Sequence, residues 1–381
     1  LVCFDRDLRF TREIPVGKAV DFDLDPARGV AYLLYPADAT VKKLILEKGQ
    51  FDPAFKKVGG EGTGLGNLTK PVAVAVDPYG NVLVADADSK RLGLVRFNQT
   101  GECLGRLGGE DYADVVRIAS ATNGDLFCMS DEGVIRRLDG FGWTLAKFGG
   151  KESASKLKNP IDMTVGMGDF LYVIDGDSSQ IKKFTQEWAY VSDFVQATDA
   201  KQLKKLIDSP TDLVFAQDKL YILDEETPRV VILKSDGAFD PDGGIHHDRK
   251  VKEKDIKGAN RVCVDPASGK IVVSLGDSFK VYNPDRSFAE AWGKSGSEDG
   301  QFRTIEQIDF DAAGDLCVLE GSSSRPVVQR FRFGAPNNPF LSPPVRDGTR
   351  LQRPKSIACG PFGGIWVWDA KTAQAVLFVQ E

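Results

Sequence analysis

Apolar and polar positions along this chain come in short bursts. Each burst is an apolar run, a turn rich in Asp, Pro, Gly or Asn, a second apolar run ending on an acidic or small polar residue, then two weaker strands. The unit is clearest from Ala75 to Asp86, AVDPYGNVLVAD. It returns in degraded form as DFDLDPARGVAYLLY from Asp21, RIASATNGDLFCMS from Arg117, DMTVGMGDFLYVID from Asp162, DLVFAQDKLYILD from Asp212, RVCVDPASGKIVVS from Arg261, QIDFDAAGDLCVLE from Gln307 and SIACGPFGGIWVWD from Ser356. These are eight copies, with repeats starting near residues 18, 71, 115, 160, 210, 259, 305 and 354, at intervals of roughly 44 to 53 residues. Four strands at such a period make one blade of a β-propeller. The connections are too short and too rich in turn residues for the helices of a parallel α/β sheet; only TDAKQLKKLID from Thr198 reads as a helical turn or two.

The first two runs of each copy are apolar nearly throughout, the pattern of strands covered on both faces. The expected fold is therefore all-β: one closed β-propeller of four-stranded antiparallel blades over residues 1–381, with eight blades, seven and six being the alternatives. An open ring would expose sheet edges to unwanted pairing, so the ends are expected to meet. The last copy supplies three strands and stops. Residues 1–14, LVCFDRDLRFTREI, align with LVRFNQTGECLGRL from Leu94 as a third and fourth strand, and are expected to latch the closing blade.

The second copy, KPVAVAVDPYGNVLVADADSKRLGLVRFNQTGECLGRLGG, closely resembles the NHL repeat. It has Pro before the first strand, Val-Asp then Gly-Asn in the first turn, Val-Ala-Asp closing the second strand, and a Leu-Gly finish. The resemblance implies a propeller, usually of six blades, whose commonest use is as a non-catalytic scaffold for a macromolecular partner. Eight copies depart from that number.

The formal charge of −6 and a sequence pI near 5.3 argue against a phosphate-backbone partner, so RNA binding, known for some NHL proteins, falls to third place. No run of about 18 apolar residues is present to span a membrane as a helix. A start at Leu1 without Met slightly favours export. The six cysteines, Cys3, Cys103, Cys128, Cys263, Cys317 and Cys359, pull the other way, because none lies within four residues of another and four sit inside apolar runs as buried free thiols. That spacing also removes zinc-ribbon, thioredoxin-like and c-haem readings.

In a propeller the first strand of each blade faces the central channel. Aligning the copies puts Asp21, Ala73, Arg117, Asp162, Asp212, Arg261, Gln307 and Ser356 in register near the start of that strand. Asp21, Arg117, Asp162, Asp212, Arg261 and Gln307 are the candidate ligand contacts, a polar funnel for a small ligand, a cation or a partner's side chain. The heavier reading is an ion-pair collar in which Arg117 and Arg261 neutralise the aspartates. A second repeated feature is the acid ending the second strand, at Asp86, Asp175, Asp224, Glu320 and Asp369; these read as turn formers accepting backbone N–H groups of the turn that follows.

The only histidines, His246 and His247, are adjacent in one loop, too few and too close for a zinc lyase. No catalytic triad or P-loop is apparent, and GGEGTGLGNL from Gly59 has no helix after it to present N–H groups to a phosphate. The expectation is no enzyme and no cofactor: a binding module with a protein partner, and room for a small molecule in the channel. The alternative is a calcium-dependent lactonase or hydrolase, for which Asp21, Asp162 and Asp212 are the available ligands, with the two arginines at equivalent positions counting against it. Three long insertions, 196–209, 242–257 and 334–350, are the expected recognition loops.

Overall fold

In the computed structural model, the residues described are all except 5–9, 56–57, 61–63, 78, 88–92, 109–114, 140, 151–156, 186–188, 196–206, 242, 249, 322–326, 335–350, 361–364, 373 and 379–381. Most of the first and third insertions falls outside the described residues, as does the helical turn expected from Thr198. Every copy of the repeat forms an antiparallel blade, and the fold is an all-β propeller. The chain divides into two compact units: residues 1–110 with 141–146, and residues 111–140 with 147–381.

The first unit holds two blades. Blade 1 runs Asp21–Asp25, Val30–Tyr35 and Thr40–Ile45, with Gln50–Phe51 and Val58–Gly59 both pairing with its third strand. Blade 2 runs Pro71–Val76, Val82–Asp86, Gly93–Phe97 and Cys103–Gly108. The N-terminal latch is not what the repeat alignment predicts. Val2–Phe4 pairs with Phe10–Glu13 as a separate hairpin. Its anchor is blade 1: Ile14 packs with Ala31, Leu33, Tyr35 and Leu44, and the Arg12 guanidinium donates to the carbonyls of Leu46 and Glu47. Residues 10–13 are exposed throughout, so burying Ile14 decides where the hairpin lies.

The second unit holds six blades, with first strands at Val115–Ser120, Pro160–Val165, Pro210–Ala216, Arg261–Val264, Ile305–Phe310 and Pro354–Cys359. Each first strand packs against the next, and the last packs against the first. The closed ring therefore has six blades rather than eight. Its closing joint is apolar, with Val115, Ile118, Leu126 and Cys128 of blade 3 against Ala358 and Trp368 of blade 8. The expectation that the termini meet in a shared blade is replaced by this contact between two complete first strands.

Second strands such as Leu126–Ser130, Leu171–Asp175, Ile271–Ser274 and Leu316–Glu320 are buried along their whole length, as continuous apolar runs require. First strands are only partly buried, because one edge faces the channel. The joint between blades 4 and 5 shows the fit of the interblade core. Tyr172 stacks on Phe215 with ring centroids 5.5 Å apart, and a Cβ at Gly166 would lie 2.7 Å from the Tyr172 ring, so only glycine fits.

Candidate functional site: the channel of the six-blade ring

Five of the ring's six collar positions share a backbone feature that the alignment alone does not reveal. The pairing of first with second strand slips just before Arg117, Asp162, Asp212, Gln307 and Ser356, leaving one bulged residue ahead of each. A β-bulge bends the strand and re-aims the side chain that follows. Arg261 is reached without one.

What the re-aimed side chains touch is the next blade. The first strand is an edge strand, and its channel-side N–H groups have no ladder partner, so each needs an acceptor. Asp162 Oδ2 accepts the Leu213 N–H at 2.9 Å, Asp212 Oδ2 accepts the Val262 N–H at 2.7 Å, and Ser356 Oγ accepts the Ile118 N–H at 3.2 Å across the closing joint. Two residues further along, Thr164 Oγ1 accepts the Phe215 N–H and Asp309 Oδ2 accepts the Cys359 N–H at 2.7 Å; three after Arg117, Ser120 Oγ donates to the Cys359 carbonyl. The arginines do the converse: Arg261 Nε donates to the Glu306 carbonyl, and Arg117 Nε to Asp162 Oδ1 at 3.1 Å. Asp21, in the first unit, works the same way, accepting the Val74 N–H at 2.9 Å, so it takes no part in the collar of this ring. Ala73 is also in the first unit.

Arg117, Asp162, Asp212, Arg261, Gln307 and Ser356 thus stand one per blade around one channel. Two of them keep unused oxygens. Gln307 Oε1 is enclosed without a hydrogen bond. Asp212 Oδ1 is likewise unpartnered, with Arg261 Nε 3.9 Å away. Burial pushes Asp212 well above the usual carboxylate range, the neighbouring Asp162 charge adds to this, and Arg261 with the Val262 N–H pulls it back.

Beside the collar, the six first strands enclose a cavity of about 160 Å³ bordered by Ser120, Thr164, Leu213, Phe215, Gln307, Asp309 and Cys359, among others. Burial raises the Asp309 carboxyl to about 6, against the pull of the Cys359 and Phe310 N–H groups. The Cys359 thiol is pushed up by its hydrogen bond to Cys317 and by burial. All six cysteines are free, and Cys128, Cys263 and Cys317 are buried. Sequence reasoning missed Asp309 and Thr164, although both stand two residues after a collar position, the next side chain on the same strand face.

The acids ending the second strands cap backbone N–H groups, but mostly those 15 to 17 residues upstream, where the chain enters the blade. Asp86 accepts from Thr69 and Lys70, Asp175 from Lys158 and Asn159, Asp224 from Asp208 and Ser209, and Glu320 from Arg303. Asp369 does both, taking Gln352 and Arg353 as well as Lys371 and Thr372 of the following turn. Several carry a cation as well, as in Arg106 to Asp86 at 3.1 Å and Arg229 to Asp224 at 2.8 Å.

Of the adjacent histidines, His247 Nδ1 lies 3.2 Å from Asp255 and His246 is exposed at the edge of blade 5. Among the described residues no group of three or more His, Cys, Asp or Glu side chains is placed to hold a metal ion, and no helix is long and apolar enough to cross a membrane.

These observations define the class as an all-β propeller. No protein-family model and no curated protein sequence matches the chain. Among solved structures it is similar to the C-terminal WD40 domain of Sif2, at 13% identity over 95% of this chain and 96% of that one, with a TM-score of 0.42. It is similar to a functionally unknown protein from Desulfotomaculum acetoxidans DSM 771, at 9% identity over 88% and 98% of the two chains, TM-score 0.45. It also matches an extracellular domain attributed to a hybrid two component system, BT3049, from B. thetaiotaomicron, at 13% identity and TM-score 0.48, spanning 99% of this chain and 48% of that one.

Proposed function

We propose that this chain is a non-catalytic, NHL-type propeller module that binds a protein partner through its rim and loops. The observation that carries the reading is the use made of the collar. Asp162 spends one oxygen on the Leu213 N–H and the other on Arg117, and Asp212 spends one on the Val262 N–H. Carboxylates committed in this way hold blades together. A hydrolytic calcium site needs several oxygens converging on one ion at about 2.3–2.6 Å, and the arginines beside these carboxylates oppose that. The outer surface offers contact area instead. On blades 5 and 6 a groove of about 420 Å³ is bordered by His246, Val251, Glu253, Arg286 and Phe288, partly from the 242–257 insertion.

Thermal unfolding with and without millimolar calcium tests the reading. The midpoint should stay unchanged within error, and a panel of lactones and esters should not be hydrolysed by wild type or by the Asp162→Asn/Asp212→Asn variant. The amide oxygens of that variant still accept the Leu213 and Val262 N–H groups. A calcium-dependent rise of several degrees that the double variant abolishes would establish the hydrolase reading in its place.

A further inference from the structure

The cavity in the six-blade channel is rich in acceptors and poor in donors. In an antiparallel strand a residue's N–H and C=O point to the same side. The channel-side N–H groups of Leu213, Phe215 and Cys359 are taken by Asp162, Thr164 and Asp309 of the preceding blades. Their carbonyls turn the same way. That of Cys359 receives the Ser120 hydroxyl, and Leu213 and Phe215 both border the cavity. Gln307 adds an enclosed carboxamide oxygen with no hydrogen bond, and Asp309 adds a carboxylate. None of the bordering residues is Lys, Arg or His.

We propose that this cavity binds one organic cation bearing N–H donors, a guanidinium or a primary ammonium, between the Asp309 carboxylate and the channel-side carbonyls. Its charge matches the single bordering carboxylate, and its N–H donors match the Gln307 Oε1, which has no hydrogen bond, and the remaining acceptor capacity of the carboxylate. The room also fits: 160 Å³ is the liquid volume of about five waters, enough for a methylguanidinium and more than a bare metal ion fills. A divalent ion would face one carboxylate, too little charge to offset its dehydration. The groups facing Asp309 are Cys359 from the next blade, Cys263 from the preceding one, Cys317 across the strand pair, and Asp311, which Arg330 engages. Burial raises the Cys263 thiol, and the hydrogen bond to Cys317 together with burial raises that of Cys359, which keeps both neutral at pH 7 and leaves the carboxylate as the anion of the cavity. The proposal stands apart from the scaffold reading, since a partner on the rim neither requires nor forbids an occupied channel.

The cation has two sources, a free small molecule or an Arg or Lys side chain of a partner, and the test separates them. Methylguanidinium chloride is titrated into the full chain at pH 7.5 by calorimetry, with wild type and with Asp309→Asn, whose amide oxygen still accepts the Cys359 N–H. Saturable binding at millimolar concentration is expected, at least tenfold weaker in the variant. In wild type the affinity should fall about tenfold from pH 7.5 to pH 5, since with a midpoint near 6 only about a tenth of Asp309 is ionised at pH 5. This arm needs no variant. A blocked peptide carrying one Arg should displace methylguanidinium if the channel takes a side chain, and should leave it bound if the channel takes only free cations. No saturable binding, binding indifferent to both Asp309→Asn and pH, or displacement by calcium would each overturn the proposal.

Discussion

Asp309→Asn should make the ring more stable at neutral pH, and the gain should vanish in acid. The folded carboxyl has a midpoint of about 6, roughly two pH units above the value of about 3.9 for an unfolded chain. The folded state therefore holds its proton more tightly than the unfolded state does. Stability from this group is greatest below about pH 4, declines as pH rises from 4 to 6, and levels off above 6. The total loss is about 2–3 kcal/mol at 1.36 kcal/mol per pH unit. Asn does not titrate, so its curve lacks that decline. Replacement also removes one acceptor from the Phe310 N–H, which Asp309 Oδ1 takes at 2.8 Å, a pH-independent loss of about 1 kcal/mol. Asp212, raised in the same direction, is present in both proteins and cancels in the difference.

Urea unfolding in sodium phosphate without organic cations, followed by tryptophan fluorescence at Trp292 and Trp368, gives the free energy at each pH. An unchanged slope against urea would confirm that the denatured states are comparable. The variant's advantage should grow by about 2–3 kcal/mol between pH 4 and pH 8. Parallel curves, or a difference growing in the opposite sense, would refute the idea that Asp309 is ionised at a desolvated site.

Two further outcomes follow from the capping acids and the thiols. Asp86→Ala should cost about 3–5 kcal/mol in urea unfolding of the first unit, because it removes the carboxylate that neutralises the fully buried Arg106, leaving that guanidinium on the Leu65 and Asn67 carbonyls, and takes the acceptor from two backbone N–H groups; pairing it with Arg106→Met should recover much of that, and a cost under about 1 kcal/mol would show that the pair is not desolvated. Alkylation followed by mass measurement should modify exposed Cys103 first and Cys128, Cys263 and Cys317 only on unfolding, with six labels in denaturant without reductant; fewer than six would reveal a disulfide.

The repeat pattern marks the neighbourhood of the first strands, because a strand's burial and its turn are written within a dozen residues. The starts expected near 71, 115, 160, 210, 305 and 354 coincide with or adjoin first strands at Pro71, Val115, Pro160, Pro210, Ile305 and Pro354. One-per-blade register of the collar from Arg117 to Ser356 was likewise legible, since aligned repeats share a strand position. Ring size was not legible. Closure depends on how each blade's inner face meets the next, and Ser356 finds Ile118 across 238 residues, a contact that no local pattern encodes. The same holds for the partners of the acids. That Asp224 holds an N–H belongs to a local chemistry readable from sequence, but that the N–H is Ser209's follows from the chain's return past the strand end. Asp309 stayed hidden for a related reason: it is one Asp among 55 acidic residues, and only the assembled ring brings five other first strands around the cavity that it borders.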